Sequence, residues 1–514
     1  MEMFSNLILG FGVALSLQNL MYCFIGVFVG TAIGVLPGVG PLVTIAMLLP
    51  LTFNLPPIPA LIMLAGIYYG SQYGGSTTSI LVNLPGETAS VVTCIDGYQM
   101  ARQGRAGPAL AIAAIGSFFA GTVGTLLIAL FGPPISEMAL KFGASEYFSL
   151  MLMALVAAAC LSHGDMVKAL AMVVFGLVLG LVGTDVNSGM ARYSFGISEL
   201  TDGIGFTVVA VGLFAVSEIV KNLESGGEET HEVFTKDIKN LMPTWADLKA
   251  SSGAILRGTA VGAFFGTLPG TGPAISSFAS YMVEKKLADD PSRFGKGAIE
   301  GVAGPEAANN AAAQTAFIPT LTLGIPGSGT MALMLGAMTI QGIAPGPQVM
   351  TQKPDLFWGL IASMWIGNLL LVVLNLPLVG LWVKLLKIPY RWLFPSIIMF
   401  CAVGNYSINN SPIDVYMCAL AGIIGSVLVK LDCAPAPLIL GYVLGPLMEE
   451  NLRRALLISR GDVTVFFTRP ISLGFMIASI LILITMVLPA ILKKKEQAYP
   501  EGGGEARHGK PAPG

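Results

Sequence analysis

The chain is 514 residues long, with 54% hydrophobic residues, only 11% charged residues and a net charge of −2. Soluble domains carry about 25% charged residues, so the composition excludes an ordinary soluble enzyme, and the near-zero net charge supplies no field for nucleic acid. The six cysteines include no CxxC pair and the three histidines are scattered, which excludes a zinc site and a His-based triad and leaves the cysteines as free core thiols.

Along the chain, residues 1–101 contain no Lys or Arg, the first being Arg102. A basic n-region is therefore missing and no cleavable signal is expected. Within this span Gly30 to Pro41 interrupt an apolar run with Leu36-Pro37-Gly38-Val39-Gly40-Pro41. A second break follows at Asn83-Leu84-Pro85-Gly86-Glu87. Asp96-Gly97-Tyr98 reads as a turn at the membrane surface before Arg102. Apolar stretches long enough to span a bilayer then come at Ala109–Phe131, Tyr147–Leu161, Lys168–Val182 and Ile204–Val220. A polar segment, 222–253, separates these from Leu356–Leu386, Ile413–Val429 and Ile471–Leu492. A spanning helix needs roughly 20 apolar residues, and counting the interrupted runs gives about 10–14 segments. The fold class is therefore all-α and polytopic, divided into a first membrane repeat at 1–221, a polar central loop at 222–253, a second repeat at 254–495 and a disordered tail at 496–514. Basic residues at Arg102–Arg105, in the central loop and at Lys493-Lys494-Lys495 mark one common cytoplasmic side; Arg192 and the Arg453-Arg454 pair do not fit that count.

The division into repeats rests on matched motifs. Leu268-Pro269-Gly270-Thr271-Gly272-Pro273 shares five of six residues with the segment from Leu36, about half a chain earlier. Gly324-Ile325-Pro326-Gly327-Ser328 echoes the segment from Asn83 in the same order. Pro removes a helical hydrogen bond, and an unpaired backbone group in hydrocarbon costs several kcal/mol. Such breaks are tolerated where they line a cavity, the pattern of a transporter site near the membrane midplane. Isolated kinks are common in membrane helices, but matched pairs in order are not a packing pattern.

All four breaks lie in spans without Lys or Arg, namely 1–101, 258–284 and 297–352. An anion there would be held by helix N-termini, each worth roughly half a positive charge, by backbone N–H groups and by hydroxyls and amides. The candidate substrate-binding residues are Gly38, Val39, Gly40, Ser76, Thr77, Thr78, Asn83, Gly86, Gly270, Thr271, Gly272, Gly327, Ser328, Gly329 and Thr330. Intramembrane carboxylates are costly and default to function; beside the breaks stand Glu87 and Glu306, with Asn309 and Asn310, as candidates for cation or proton coupling. Asp185, Glu218 and Asp414 read as helix-end or packing residues. No HExxH, GxSxG or histidine pair suggests an enzyme.

The motifs also carry a family likeness. Gly34-Val-Leu-Pro-Gly-Val-Gly-Pro41, Tyr69-Gly-Ser-Gln-Tyr-Gly-Gly-Ser-Thr-Thr-Ser79, Asn83-Leu-Pro-Gly-Glu-Thr-Ala-Ser-Val-Val92, Gly304-Pro-Glu-Ala-Ala-Asn-Asn-Ala311 and Leu323-Gly-Ile-Pro-Gly-Ser-Gly329 make the chain resemble the large membrane subunit of the tripartite tricarboxylate transporters (TctA-like). The likeness runs over roughly residues 10–490. It implies a secondary importer of tri- or dicarboxylates in a bacterial inner membrane, coupled to Na+ or H+, with no other cofactor. It implies a small membrane subunit and a periplasmic solute-binding protein as partners and an inverted-repeat fold moving as an elevator; surrounded by membrane lipid, the chain is open to being a monomer or a homodimer. Transport of another small organic anion, such as an aromatic acid, is the alternative. By the same likeness Gly38, Val39 and Gly40 pair with Gly270, Thr271 and Gly272 as hairpin tips, and Gly86 and Glu87 pair with Gly327 and Ser328.

Overall fold

The structure, a computed structural model, describes residues 2–36, 39–162, 165–185, 188–224, 241–268, 272–385 and 390–498. These are overwhelmingly helical. In order they form α1 (Glu2–Ala14), α2 (Leu17–Gly34), α3 (Pro41–Leu48), α4 (Pro57–Val82), α5 (Val91–Arg102), α6 (Ala106–Ala139), α7 (Ala144–Leu161) and α8 (Met166–Gly180). A two-residue hairpin pairing Gly183 with Arg192 leads into α9 (Phe206–Glu224). Then come α10 (Trp245–Gly266), α11 (Gly272–Leu287), α12 (Glu300–Thr315), α13 (Phe317–Leu323), α14 (Gly329–Ile340), α15 (Pro354–Asn375), α16 (Val379–Leu385), α17 (Tyr390–Asn409), α18 (Pro412–Lys430), α19 (Pro435–Ile458) and α20 (Pro470–Ala498).

Among the described residues six helices, α2, α6, α7, α9, α15 and α18, have the length and apolarity to cross a membrane, and five shorter apolar helices accompany them. The chain is thus an all-α, multi-pass membrane protein. Two segments differ from the sequence expectation. The run Leu356–Leu386 is two helices, because α15 stops at Asn375 and α16 restarts at Val379. Asp96 is no surface turn: it sits inside α5, fully buried. Its carboxylate accepts the backbone N–H groups of Gly295, Gly297 and Ala298 at 2.8, 2.8 and 2.9 Å and the Tyr281 hydroxyl at 2.9 Å. It pins the entry to α12 against α5. The central loop and the tail fall largely outside the described residues.

The core is organised by glycine. Gly26, Gly30 and Gly34 on α2 meet the backbone of Met63, Ile67 and Ser71 on α4, while Gly66, Gly70 and Gly74 on α4 meet the backbone of α2. A Cβ on Gly70 would lie 2.5 Å from the Val27 carbonyl oxygen. Small residues let helices approach to backbone contact, which is what drives association where no hydrophobic effect operates. On α10, Gly258, Gly262 and Gly266 meet Gly304, Ala308 and Ala312 of α12 in the same manner.

In both seams the contact order rises along both helices, so each pair runs parallel. Two parallel helices need a return path between them. In the first pair that path includes α3, and in the second it includes α11. Helices α3 and α11 therefore each double back after the helix before them, α2 and α10. Further on, α4 and α13 both stop in the left-handed conformation, at Asn83 (φ 59°) and Gly324 (φ 71°). Asparagine and glycine are the residues that tolerate this turn. Helix α4 is buried from Pro59 to Val82 and α12 from Gly301 to Thr315, as expected of helices at the centre of a bundle.

Candidate functional site

The breaks bring helix starts together. Around one cavity of about 530 Å³ lie Gly40 and Pro41 at the start of α3, Glu87 to Ala89 and Val91 at the start of α5, Gly272 and Pro273 at the start of α11, Ser328 to Thr330 at the start of α14, and Ala434 to Pro437 at the start of α19. Neither α3 nor α19 has its first N–H groups capped by a side chain, and both carry Pro at the first turn. At α14 the Ser328 hydroxyl accepts the Met331 N–H at 3.3 Å. Five helix N-termini at roughly half a charge each give a field on the order of two positive charges. The volume suits a small organic molecule, since such sites run from about 300 to 1,000 Å³.

Three charged side chains also line the cavity: Glu87, Glu218 and Lys221. Lys221 lies 3.4 Å from Glu218 and marks the exposed rim. Glu87 is half-buried and accepts the Asn309 amide at 3.0 Å, which ties the break after α4 to α12 across the two halves. In the wall, Gln72 and Tyr68 are buried one turn apart with their polar ends near each other, and neither side chain hydrogen-bonds to any other residue. Unpaired buried polar groups are rare and call for an explanation; these two residues lie one turn apart in the wall of the cavity.

A second, much smaller hollow of about 20 Å³ lies on another face of α4. Tyr73, Ser76, Thr77, Ser117, Glu306 and Asn375 line it among apolar residues. Glu306 is 1% exposed. One of its oxygens accepts the Ser76 hydroxyl at 2.7 Å and the other accepts the Thr93 hydroxyl.

Of the residues expected from the sequence, Gly40, Gly86, Glu87, Gly272, Ser328, Gly329 and Thr330 share the large cavity. Gly38, Gly270 and Thr271 lie outside the described residues. Val39 is buried behind the tip with its N–H on Leu36 at 3.2 Å. Gly327 packs near the Gly266 carbonyl. Ser76 and Thr77 belong to the small hollow, with Glu306. The Thr78 hydroxyl latches the Val35 carbonyl at 2.8 Å. Asn83 is an exposed helix stop. Asn309 holds Glu87, and Asn310 donates to the Ser117 hydroxyl at 2.7 Å.

Asp185 is in an ion-pair cluster with Arg192 and Arg453, and Asp414 accepts the Asn409 amide at 2.8 Å in the first turn of α18. Sequence reasoning missed Tyr68, Gln72, Asn375, the Glu218–Lys221 pair as cavity residues and the start of α19. For Gln72 a signal existed: an amide among aromatic residues inside a long apolar helix. For α19 the signal was Ala434-Pro435-Ala436-Pro437, a Pro-rich helix start. Among the described residues no group of three or more His, Cys, Asp or Glu is gathered.

A model of the tripartite tricarboxylate transporter TctA family matches residues 20–440. The chain is 57% identical over 501 residues to a protein of Agrobacterium vitis described as "Uncharacterized 52.8 kDa protein in TAR-I ttuC' 3'region", covering 98% of this chain and 99% of that one. It is 61% identical over 240 residues to another from the same organism, "Uncharacterized protein in TAR-II ttuC' 3'region", covering 47% of this chain and 99% of that one. No solved structure matches.

Proposed function

Since this chain belongs to the tripartite tricarboxylate transporter TctA family, whose members are transporter subunits, we propose that it is the substrate-translocating subunit of a secondary, cation-coupled importer. The substrate is a di- or tricarboxylate handed over by a periplasmic solute-binding protein, and a small membrane subunit completes the assembly in the bacterial inner membrane. The observation that carries this reading is the meeting of five helix N-termini around one cavity of about 530 Å³. A backbone field on the order of two positive charges, with Glu218 paired to Lys221 and Glu87 held by Asn309, complements a small polycarboxylate without an arginine clamp. Gln72 and Tyr68 offer the polar atoms that fix its orientation, and the hydroxyls of Ser328 and Thr330 add donors at the start of α14.

In this reading the halves are an inverted repeat, one hairpin entering from each side of the membrane. The glycine-seamed pairs α2–α4 and α10–α12 form the rigid body that carries the site in an elevator motion. The rim at Lys221 adjoins the central polar loop, so with that loop cytoplasmic the conformation is inward-facing. An aromatic carboxylate is the second reading, favoured by Tyr68 and Phe214 in the cavity wall.

The test is uptake into proteoliposomes containing this chain, the small subunit and the binding protein. Accumulation of a labelled di- or tricarboxylate above equilibrium, driven by a Na+ or H+ gradient, is expected. Uptake that stops at equilibrium, or that ignores both gradients, would overturn coupled transport; rapid uptake without the binding protein would overturn the delivery step.

A further inference from the structure

We propose that the hollow beside Glu306 is a binding site for one monovalent cation of sodium size. This deepens the cation coupling proposed above and rests on that reading for its role, though not for its chemistry.

The hollow is too small for the organic substrate. Its volume of about 20 Å³ holds a single water-sized sphere. Its polar lining is made of oxygen. Glu306 contributes a carboxylate that is 1% exposed, and among the described residues no lysine or arginine forms an ion pair with it. Both carboxylate oxygens lie within hydrogen-bond reach of hydroxyls, those of Ser76 and Thr93. A lone buried carboxylate at membrane depth takes up either a proton or a counter-charge, and the oxygen-lined hollow beside it offers room for the latter.

The independent pointer is Asn375. It is 5% exposed, and its amide nitrogen donates to the Leu371 carbonyl at 2.9 Å. That bond fixes the orientation of the amide and leaves Oδ1 buried without a partner. Asn375, the last residue of α15, lines the hollow. Thr77 and Ser117 supply hydroxyl oxygens; the first donates its hydrogen to Tyr73 at 3.2 Å and the second accepts from Asn310. Hard cations take such oxygen sets. One carboxylate among neutral oxygens balances a single positive charge, which selects a monovalent ion over Ca²⁺ or Mg²⁺.

The test is thermal unfolding of the purified full chain in detergent, in NaCl against KCl and choline chloride at equal ionic strength. A ligand that binds only the folded state raises Tm with its concentration. Tm is expected to rise saturably with NaCl beyond choline chloride. Half-saturation should shift upward by about tenfold or more in Asn375→Leu, as when a metal site loses one of its supporting groups, and the Na+ effect should vanish in Glu306→Gln. If Glu306→Gln does not fold, Thr77→Val takes its place, with a rightward shift expected. No advantage of NaCl over choline chloride, as for a hollow that holds only water, overturns the proposal. So does a wild-type Na+ response in Asn375→Leu. Concentrative uptake by a protein without the Na+ response removes this site and leaves the carrier reading standing. A Na+ response that Asn375→Leu weakens, in a protein that never accumulates substrate, supports the site and removes the carrier reading.

Discussion

Two hollows lie against the same helix, and they are polar for opposite reasons. One turn of α4 separates Gln72, in the wall of the large cavity, from Ser76, in the wall of the small one. The large cavity draws its positive potential from main chain, because five helices begin there, and sets Lys221 against the carboxylates of Glu87 and Glu218. The small one draws its polarity from side-chain oxygens, with a carboxylate among them. Backbone N-termini favour an anion and an oxygen cage favours a cation, so the sign each hollow accepts follows from which groups face it. Neither hollow needs an arginine or lysine for that.

The largest expected effect separates shape from stability. Gly40 lies at the start of α3 with φ −72°, and a Cβ there would come 3.3 Å from the Cβ of Glu87. Gly40→Leu fills the large cavity without backbone strain. Uptake should fall on the order of 100-fold, the scale of a misplaced reacting geometry, while membrane insertion and the Na+ dependence of Tm persist. Loss of both would show that the hollows are not independent.

Next comes a crossed pair. Gln72→Leu removes a buried amide from the wall of the large cavity and should raise the KM for substrate about tenfold, the worth of one buried hydrogen bond in the complex. Its half-saturation by Na+ should stay unchanged. Asn375→Leu should do the reverse when substrate uptake is measured at saturating Na+. Equal effects of both variants on both ligands would merge the two sites into one.

The smallest effect is at the rim. Lys221 is 56% exposed, so Lys221→Gln should change uptake only about two- to threefold, as for a screened surface charge. That difference should shrink as salt rises; a persistent loss at high salt would place Lys221 in the site itself.

What could be read from the sequence divides along the same line. The helix breaks were legible because Pro and Gly act locally: Pro41, Gly86, Gly272 and Gly329 each announce the end or start of a helix wherever the rest of the chain lies. Their meeting place was not fully legible, since the start of α19 joins them from a distant part of the chain. The row Ser76-Thr77-Thr78-Ser79 looked like one cluster, but the helical rotation of about 100° per residue sends its members to different neighbours. Ser76 reaches Glu306 and Thr78 reaches Val35. Asn83 resembled a ligand because it is polar beside a break. Its conformation shows another cause, as a residue able to end α4 with positive φ. Asn375 was hidden inside a run that reads as a single apolar span.

The glycine seams have one more effect, on alignment. A seam of glycine against backbone has almost no side-chain rotamers to freeze, so its assembly costs little of that entropy. It is also keyed like a ratchet. Sliding α2 by one residue along α4 would bring Val27 and Thr31 to where Gly26 and Gly30 now touch backbone, and no small adjustment admits them. The only other shift that preserves the fit is a step of four residues, about 6 Å along the axis. The ends of the seamed helices are thereby held at a fixed height relative to each other, whatever the surrounding lipid does.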